Sequence, residues 1–402
     1  VVAWTRDQPW ADPSRLGLLG HSMGAGAVVR AAVADAEGPG GEPLLATVAL
    51  SLPSADDVPV GPADVPRNLL LLYGANEQPR FVDAALGALR AAYPDGVVGP
   101  GYGAPVDGTA RSAEEVPRAD HITILFAQDT RQLALDWLDQ TVGAPSSGST
   151  AGGSRIGWLL LLTVGAAIGF VPLARLVLPE REAPMRPAPS PRAWVVLAIS
   201  AGSAVAASLV SALLQGLTSR VPLAVGGYVL GWFAVAGLVA AGLASLRDRR
   251  RGGAPRLAQA GGWREILVVL GLTAYAVVAL GLVARSTWTA FELVGDRPRW
   301  LLPVELALIA WFWADDRLVG TRWWLGALTR VVAVLVLLAS VLVLGAPGFL
   351  TLLVPLMGVV LALLLVYGQT VTRRATVPWS PALVQAIPLA YLVATTFPLV
   401  SV

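Results

Sequence analysis

The sequence predicts an α/β domain with a parallel sheet, followed by an all-α domain that spans a membrane. Three observations lead to this prediction. Residues 1–142 alternate short apolar runs with alanine-rich helical patterns, residues 143–154 have the composition of a linker, and residues 155–402 contain long apolar segments. Short buried runs that alternate with helices are typical of parallel sheets, and about 20 apolar residues are enough to cross the hydrocarbon core of a bilayer.

The composition places part of the chain in lipid and excludes several functions. Of the 402 residues 55% are hydrophobic, and the mean hydropathy is +0.64, which is outside the soluble range. Residues 1–150 contain 9 arginines against 18 acidic residues, whereas residues 151–402 contain 20 against 9. Because an acidic N-terminal domain has no electrostatic surface for nucleic acid, we exclude nucleic-acid binding. The absence of cysteine excludes thiolate chemistry, and we predict neither a metal site nor a cofactor.

The elements of the first domain follow from the apolar pattern. Continuously apolar runs predict strands that are buried on both faces, and they are RLGLLG at 15–20, LLATVALSL at 44–52 and NLLLLYG at 68–74, with a fourth strand near 108–117. Helical patterns begin at Ala25, Pro79 and Asp129. The order is strand, helix, strand, strand, helix, strand, helix, which predicts a parallel α/β sheet.

After this domain comes a linker and then a series of membrane spans. The segment GAPSSGSTAGGS at 143–154 predicts a flexible coil that spans about 20 Å end to end. Eight apolar segments then predict transmembrane helices, near 156–178, 193–217, 221–246, 263–284, 300–314, 323–344, 349–368 and 380–401. The fifth, WLLPVELALIAWFWA, is the weakest because it is short and contains Glu305.

The arginines of the connecting loops predict the orientation. If the linker lies outside, the inward loops hold thirteen arginines and the outward loops five. The excess of basic residues on cytoplasmic loops therefore favours an extracytoplasmic N-terminal domain. Omission of the fifth span would move Arg373 and Arg374 outside, which argues for keeping that span.

Charged residues also lie within or near the ends of the predicted spans. They are Glu305, Arg330 and the pair Asp315–Asp316. Such residues are costly in lipid and often act as proton relays or substrate contacts. We interpret them as structural, with Arg330 reaching the interface by its long side chain, and a functional role is the alternative.

The motif Gly20-His21-Ser22-Met23-Gly24 fits the pattern G-x-S-x-G of a nucleophile elbow. In this turn the serine occupies a strained position between a strand and a helix, and the glycines on either side let the two backbones approach closely. RLGLL predicts the strand that leads in, and AGAVVRAAVADA predicts the helix that leads out. The context therefore favours a catalytic turn over an ordinary glycine-rich bend.

A serine nucleophile needs a base, and the chain has only two histidines. His21 is adjacent to Ser22, where neighbouring side chains diverge and cannot share a proton. We therefore predict that His121, in RADHITILF after the fourth strand, is the base. The alternative interpretation of His121 is an ordinary loop histidine.

A third residue must orient the imidazole and stabilise its protonated form. We predict Glu77, because it follows the third strand at the carboxyl edge of the sheet, where active sites of such folds assemble. Asp56 and Asp57, after the preceding strand, are the alternatives. We interpret Asp120, which is adjacent to His121, as a helix-proximal or surface charge.

The segments LGLLGHSMGAG, LLLLYGANE and DHITILF, with serine, acid and histidine in that order, resemble the C-terminal half of an α/β hydrolase, nearest to the dienelactone-hydrolase-like and chlorophyllase-like branches. The resemblance covers about the first 140 residues. It implies that Ser22 is the nucleophile, His121 the base and Glu77 the orienting acid, with the backbone N–H of Met23 as one oxyanion donor.

The resemblance also has departures. The acid is Glu where Asp is commoner, and the interval from Glu77 to His121 is long. The N-terminal strands of the fold, which would supply the second oxyanion donor, are missing from the sequence. Since the chain begins with Val-Val-Ala-Trp, we expect it to be a fragment or a processed product.

Together these features predict a membrane-anchored serine hydrolase at the extracytoplasmic face of a bacterial cell membrane. It would act on an ester, thioester or amide by acyl transfer to Ser22, with a small-molecule or lipid ester as substrate and membrane lipids as partners. The alternative is that the helices form a transporter or a lipid-handling bundle, and that the hydrolase-like domain only binds.

Overall fold

The computed structural model describes residues 1–38, 43–143, 155–178, 191–250, 262–287, 291–397 and 399. The chain divides into two compact units, Val1–Trp158 and Leu159–Val402, here called unit 1 and unit 2. The predicted linker at 143–154 lies outside the described residues except for Gly143.

Unit 1 contains a parallel sheet, as the sequence predicts. In the described residues its four strands follow one another in chain order, and every neighbouring pair is parallel. The strands are β1 (Gly17–His21), β2 (Ala46–Leu50), β3 (Leu69–Gly74) and β4 (Arg111–Val116), and the helices are α1 (Val2–Arg6), α2 (Met23–Glu37), α3 (Pro79–Arg90) and α4 (Gln128–Val142). The predicted order of elements is confirmed, and α1 is an addition to it.

Burial of the strands explains their composition. Every residue of β2 and β3 is buried, because one face of the sheet packs against α2 and α3 and the other against α4. Strand β1 occupies an edge of the described sheet, and Leu19 within it is 53% exposed. The carboxyl ends of all four strands meet at one edge of the sheet, where the loops after them come together.

Unit 2 is an all-α bundle with helices suited to a membrane. Six described helices are long and apolar enough to cross a bilayer, and they identify an integral membrane protein. The long helices of the bundle are α5 (Arg155–Val177), α6 (Ala193–Leu213), α8 (Gly226–Arg250), α9 (Trp263–Thr287), α10 (Pro298–Val319), α11 (Trp323–Leu344), α12 (Leu350–Thr372) and α13 (Ser380–Thr396), and the short α7 (Gln215–Thr218) follows α6.

Two of the eight predicted spans correspond to helices that are not among those six. The fifth predicted span, 300–314, is part of α10, which is longer at both ends and holds acidic residues toward its C-terminal end. The eighth lies in α13, a helix of 17 residues. The expectation that Arg330 reaches the interface is wrong: its side chain is 4% exposed and donates to the carbonyl of Leu361 at 2.6 Å.

Polar contacts join the helix ends that flank the arginine-rich segments of unit 2, and this end of the bundle is here called the arginine-rich end. It is formed by the ends of α5, α8, α10 and α12 and by the starts of α6, α9, α11 and α13. The contacts that join these segments are Arg374 to Leu178 O (3.0 Å), Arg322 to Pro191 O (2.7 Å), Arg317 to Asp248 (2.9 Å), Gln369 to Gly320 O (2.9 Å) and Glu265 to Val377 N (2.9 Å).

Candidate active site

The turn between β1 and α2 holds Ser22 in a strained conformation. Its φ of 57° and ψ of −121° are outside the backbone regions that residues other than glycine usually adopt. Gly20 makes this turn possible, because a Cβ there would lie 2.2 Å from the carbonyl oxygen of Gly24. The expectation that Gly24 is also needed for the close approach of the two backbones is wrong, since a Cβ at that position would meet nothing within 4 Å. The predicted strain at the serine is present, and one of the two glycines permits it.

His121 lies against Ser22, although 99 positions separate them in the chain. The Ser22 hydroxyl is 2.9 Å from Nε2 of the ring, and Nδ1 is 2.5 Å from Oε1 of Glu77. The neutral ring with its proton on Nδ1 satisfies both contacts, because Nδ1–H then donates to Glu77 and Nε2 accepts from Ser22. His121 is 6% exposed, and Phe81 stacks on its ring with centroids 4.3 Å apart.

Glu77 is held at both of its carboxylate oxygens. Oε1 accepts from His121, and Oε2 accepts from the backbone N–H of Gly74 at 2.8 Å and from the hydroxyl of Ser51 at 3.0 Å. The carboxylate side chain is completely buried. Because every contact comes from the carboxyl edge of the sheet, the packing of unit 1 sets the orientation of this acid.

The alternative acids lie elsewhere. Asp57 forms an ion pair with Arg30 at 2.7 Å, and Asp56 is exposed. The carboxylate of Asp120 accepts the N–H groups of Ile122 and Thr123 at 2.9 and 2.8 Å. Burial raises the pKa of Asp120, but these hydrogen bonds outweigh it, so that the pKa is lowered overall.

His21, which is excluded as the base on sequence grounds, contacts the backbone of His121. Its Nε2 is 2.8 Å from the carbonyl oxygen of His121, so this nitrogen carries a proton and donates it. Burial, and then the charge of His121, lowers the pKa of His21 from 6.5 to about 4. His21 is therefore neutral near pH 7 and holds the backbone of the second histidine in place.

Met23, the predicted oxyanion donor, is the first residue of α2. The first N–H groups of a helix have no acceptor within it and point out from its positive end. The N–H of Met23 is consequently available beside Ser22. Its side chain is 43% exposed.

Comparison with protein-family models, with curated proteins and with solved structures finds no match for this chain. Among the described residues, no group of three or more histidine or acidic side chains could hold a metal ion. The contacts of Ser22, His121 and Glu77 indicate what these three side chains can do chemically. Ser22 can lose its proton to His121 during an attack on a carbonyl carbon, while Glu77 stabilises the protonated ring.

Sequence reasoning missed two residues of this site, His21 as a donor and Ser51 as a partner of Glu77. Ser51 follows β2 directly and has a positive φ of 51°. It therefore occupies on β2 the place that Ser22 occupies on β1. A polar residue at the end of a buried strand is the signal that could have indicated Ser51.

Proposed function

We propose that unit 1 is a serine hydrolase that cleaves ester-type bonds, and that unit 2 anchors it to a membrane. The observation that carries this proposal is the continuous chain of contacts from Ser22 Oγ through His121 to Glu77, at 2.9 and 2.5 Å. A neutral imidazole between a hydroxyl and a buried carboxylate is the arrangement that nucleophilic acyl transfer requires.

The reaction has two stages. In the first, Ser22 Oγ attacks the carbonyl carbon of the substrate, its proton passes to His121 Nε2, and the protonated ring gives that proton to the leaving group. In the second, His121 removes a proton from water, which attacks the acyl-enzyme and releases the acid. The N–H of Met23 would donate to the oxyanion in both stages.

Two further features support the proposal. The strained serine between a strand and a helix is the geometry of a nucleophile elbow. The sheet continues after that serine as three more parallel strands in chain order, which supports the resemblance to the C-terminal half of an α/β hydrolase. Substrates would be small-molecule or lipid esters, and the bias of arginines among the loops supports an extracytoplasmic site.

The proposal is tested by labelling the full-length protein in detergent with a fluorophosphonate probe, which reacts with activated serines. We expect the wild type to be labelled, and Ser22→Ala and His121→Ala to lose labelling. Ser14→Ala is the matched control, because Ser14 is exposed and its hydroxyl donates to Asp12.

Labelling that survives Ser22→Ala, or its absence from a correctly folded wild-type protein, would contradict the hydrolase. The latter result would favour the second candidate, in which unit 2 is a transporter or lipid-handling bundle and unit 1 only binds. The observation that favours this candidate is a buried group of charged side chains in unit 2, which is described next.

A further inference from the structure

Unit 2 contains a buried group of ionisable and amide side chains, here called the α10 cluster. It consists of Asp315 and Asp316 on α10, Arg330 on α11 and Gln385 on α13. Asp315, Arg330 and Gln385 are 8%, 4% and 0% exposed, and Asp316 is partly buried. Ionisable groups inside a bundle of membrane-spanning helices are rare and are often functional.

The guanidinium of Arg330 is committed mainly to neutral partners. Nη1 donates to the carbonyl of Leu361 at 2.6 Å, and Nη2 donates to Oε1 of Gln385 at 2.5 Å. Its distance to the carboxylate of Asp315 is 3.8 Å, which is too long for a hydrogen bond. Arg330 therefore neutralises at most one carboxylate, and does so loosely.

Asp316 has a neutral partner rather than a cationic one. The side-chain amide of Gln385 donates to both of its carboxylate oxygens, at 2.9 and 3.2 Å. Gln385 thus joins Asp316 to Arg330, with its nitrogen on the first and its oxygen on the second. Gly368 leaves room for this amide, because a Cβ there would lie 2.2 Å from the Gln385 nitrogen.

Four charged groups near the C-terminal end of α10 have other partners. On α8, Asp248 pairs with Arg247 at 3.0 Å and with Arg317 of α10 at 2.9 Å. Arg322, before α11, donates to carbonyls at the end of α10 and to Pro191. The ranges of α6, α12 and α13 contain no charged residue. Among the described residues, two neighbouring carboxylates therefore face one guanidinium, and one negative charge is left over.

Unpartnered polar atoms lie beside this group. Arg330 Nε, Gln369 Oε1 and Ser380 Oγ are buried and have no hydrogen-bond partner among the described residues. The amide nitrogen of Gln369 donates to Gly320 O, and the N–H of Gly320 donates to Asp316 O. Buried polar atoms without a protein partner commonly bind water. The three atoms lie between Arg330 and the arginine-rich end.

We infer that Asp315 and Asp316 together bind one exchangeable proton, delivered by water from the arginine-rich end of the bundle. A carboxylate takes the proton from hydronium and leaves water, so charge and atoms balance without a redox partner. With the proton bound, the two aspartates carry one negative charge, which balances the positive charge of Arg330. A buried site favours such a neutral combination. This inference does not depend on the hydrolase.

The test is carbodiimide labelling of purified full-length protein in detergent, located by fragment mass spectrometry. Dicyclohexylcarbodiimide adds to protonated carboxyl groups in apolar surroundings. Glu305 lies on the same helix, so the reference protein carries Glu305→Gln. We expect adducts on Asp315 or Asp316 near neutral pH, and their loss as the pH is raised.

Asp315→Asn and Asp316→Asn, each in the Glu305→Gln protein, provide the sharper test. Either change leaves one carboxylate beside Arg330, so we expect the remaining aspartate to ionise and labelling to be lost in both variants. Asp248→Asn is the matched control and should leave labelling unchanged, since Asp248 is already paired with arginines.

Three results would overturn the inference. They are the absence of adducts on both aspartates of the Glu305→Gln protein near neutral pH, labelling that does not fall as the pH rises, and labelling that persists on the remaining aspartate of a single variant. The first two need neither aspartate variant, so the inference can be tested even if those variants do not fold.

Discussion

At the scale of single residues, the least expected feature is that both histidines of the chain serve one site. His21 donates through Nε2 to the carbonyl of His121, while the ring of His121 contacts Ser22 and Glu77. The two rings lie with centroids 4.8 Å apart. His21 therefore acts as a positioning residue for the proposed base.

We predict that the donor on His21 matters more than its ring. His21→Ala removes the donor and leaves a buried carbonyl without its partner, which costs about 1–3 kcal/mol. We expect fluorophosphonate labelling of Ser22 to slow by about tenfold, which corresponds to about 1.4 kcal/mol. His21→Gln keeps an N–H donor and should restore most of the rate. Equal rates in the two variants would argue against the positioning role.

The same residue predicts a dependence of stability on pH. The pKa of His21 is about 4 in the folded protein and 6.5 in the unfolded chain. Between these values the unfolded chain binds a proton that the folded unit does not. Stability therefore falls as the pH falls from about 6.5 toward 4, by at most about 3 kcal/mol. Pulse proteolysis of unit 1 in the full-length protein should show this slope, and His21→Gln should flatten it.

At the scale of elements, the elbow between β1 and α2 depends on one close approach of two backbone segments. Gly20 is buried in β1, and its backbone faces that of Gly24. This contact brings the start of α2 over the end of the strand and keeps Ser22 in its strained conformation. The two glycines of the motif are therefore not equivalent.

Alanine at each glycine tests this difference. Gly20→Ala would press a methyl group against backbone atoms, and we expect a loss of about 1–3 kcal/mol in stability together with reduced labelling of Ser22. Gly24→Ala has free space and lies in a helix, where Ala is favoured over Gly by about 0.5–1 kcal/mol. It should keep full labelling. A comparable loss in both variants would contradict this account of the turn.

The elements of unit 1 could be predicted because their signals are local. Strand β3 is a continuous apolar run, and α3 begins at a proline in its first turn. Helix α10 was predicted too short because Asp315 and Asp316 interrupt its apolar pattern, whereas in the structure Arg330 and Gln385 accommodate those carboxylates. Partners from other helices cannot be read from the pattern of one segment.

At the scale of the whole molecule, the arginines of the loops predict the side of the membrane on which unit 1 lies and the side that the arginine-rich end of unit 2 faces. The chain contains no cysteine, so single introduced cysteines can be labelled without background. Gln140 is exposed on α4 of unit 1, and Thr321 is exposed at the arginine-rich end. These positions are suited to a topology measurement.

We predict that an impermeant maleimide labels Gln140→Cys in intact cells and labels Thr321→Cys only after the cells are permeabilised. The physical reason is the retention of arginine-rich loops on the cytoplasmic side. Neither change removes a charge, so the bias that sets the orientation is preserved. The reverse pattern would place unit 1 in the cytoplasm and would contradict the extracytoplasmic site.

The sequence by itself determined the division into an α/β unit and a membrane unit, the order of strands and helices, and the candidates Ser22, His121 and Glu77. Burial patterns and a short inventory of histidines are properties of the chain that need no partner. Only the tertiary structure decided that Glu77 rather than Asp57 faces His121, that His21 and Ser51 support the site, and that Gln385 joins Asp316 to Arg330. These contacts join residues far apart in sequence, and they exist because packing places them within hydrogen-bonding distance.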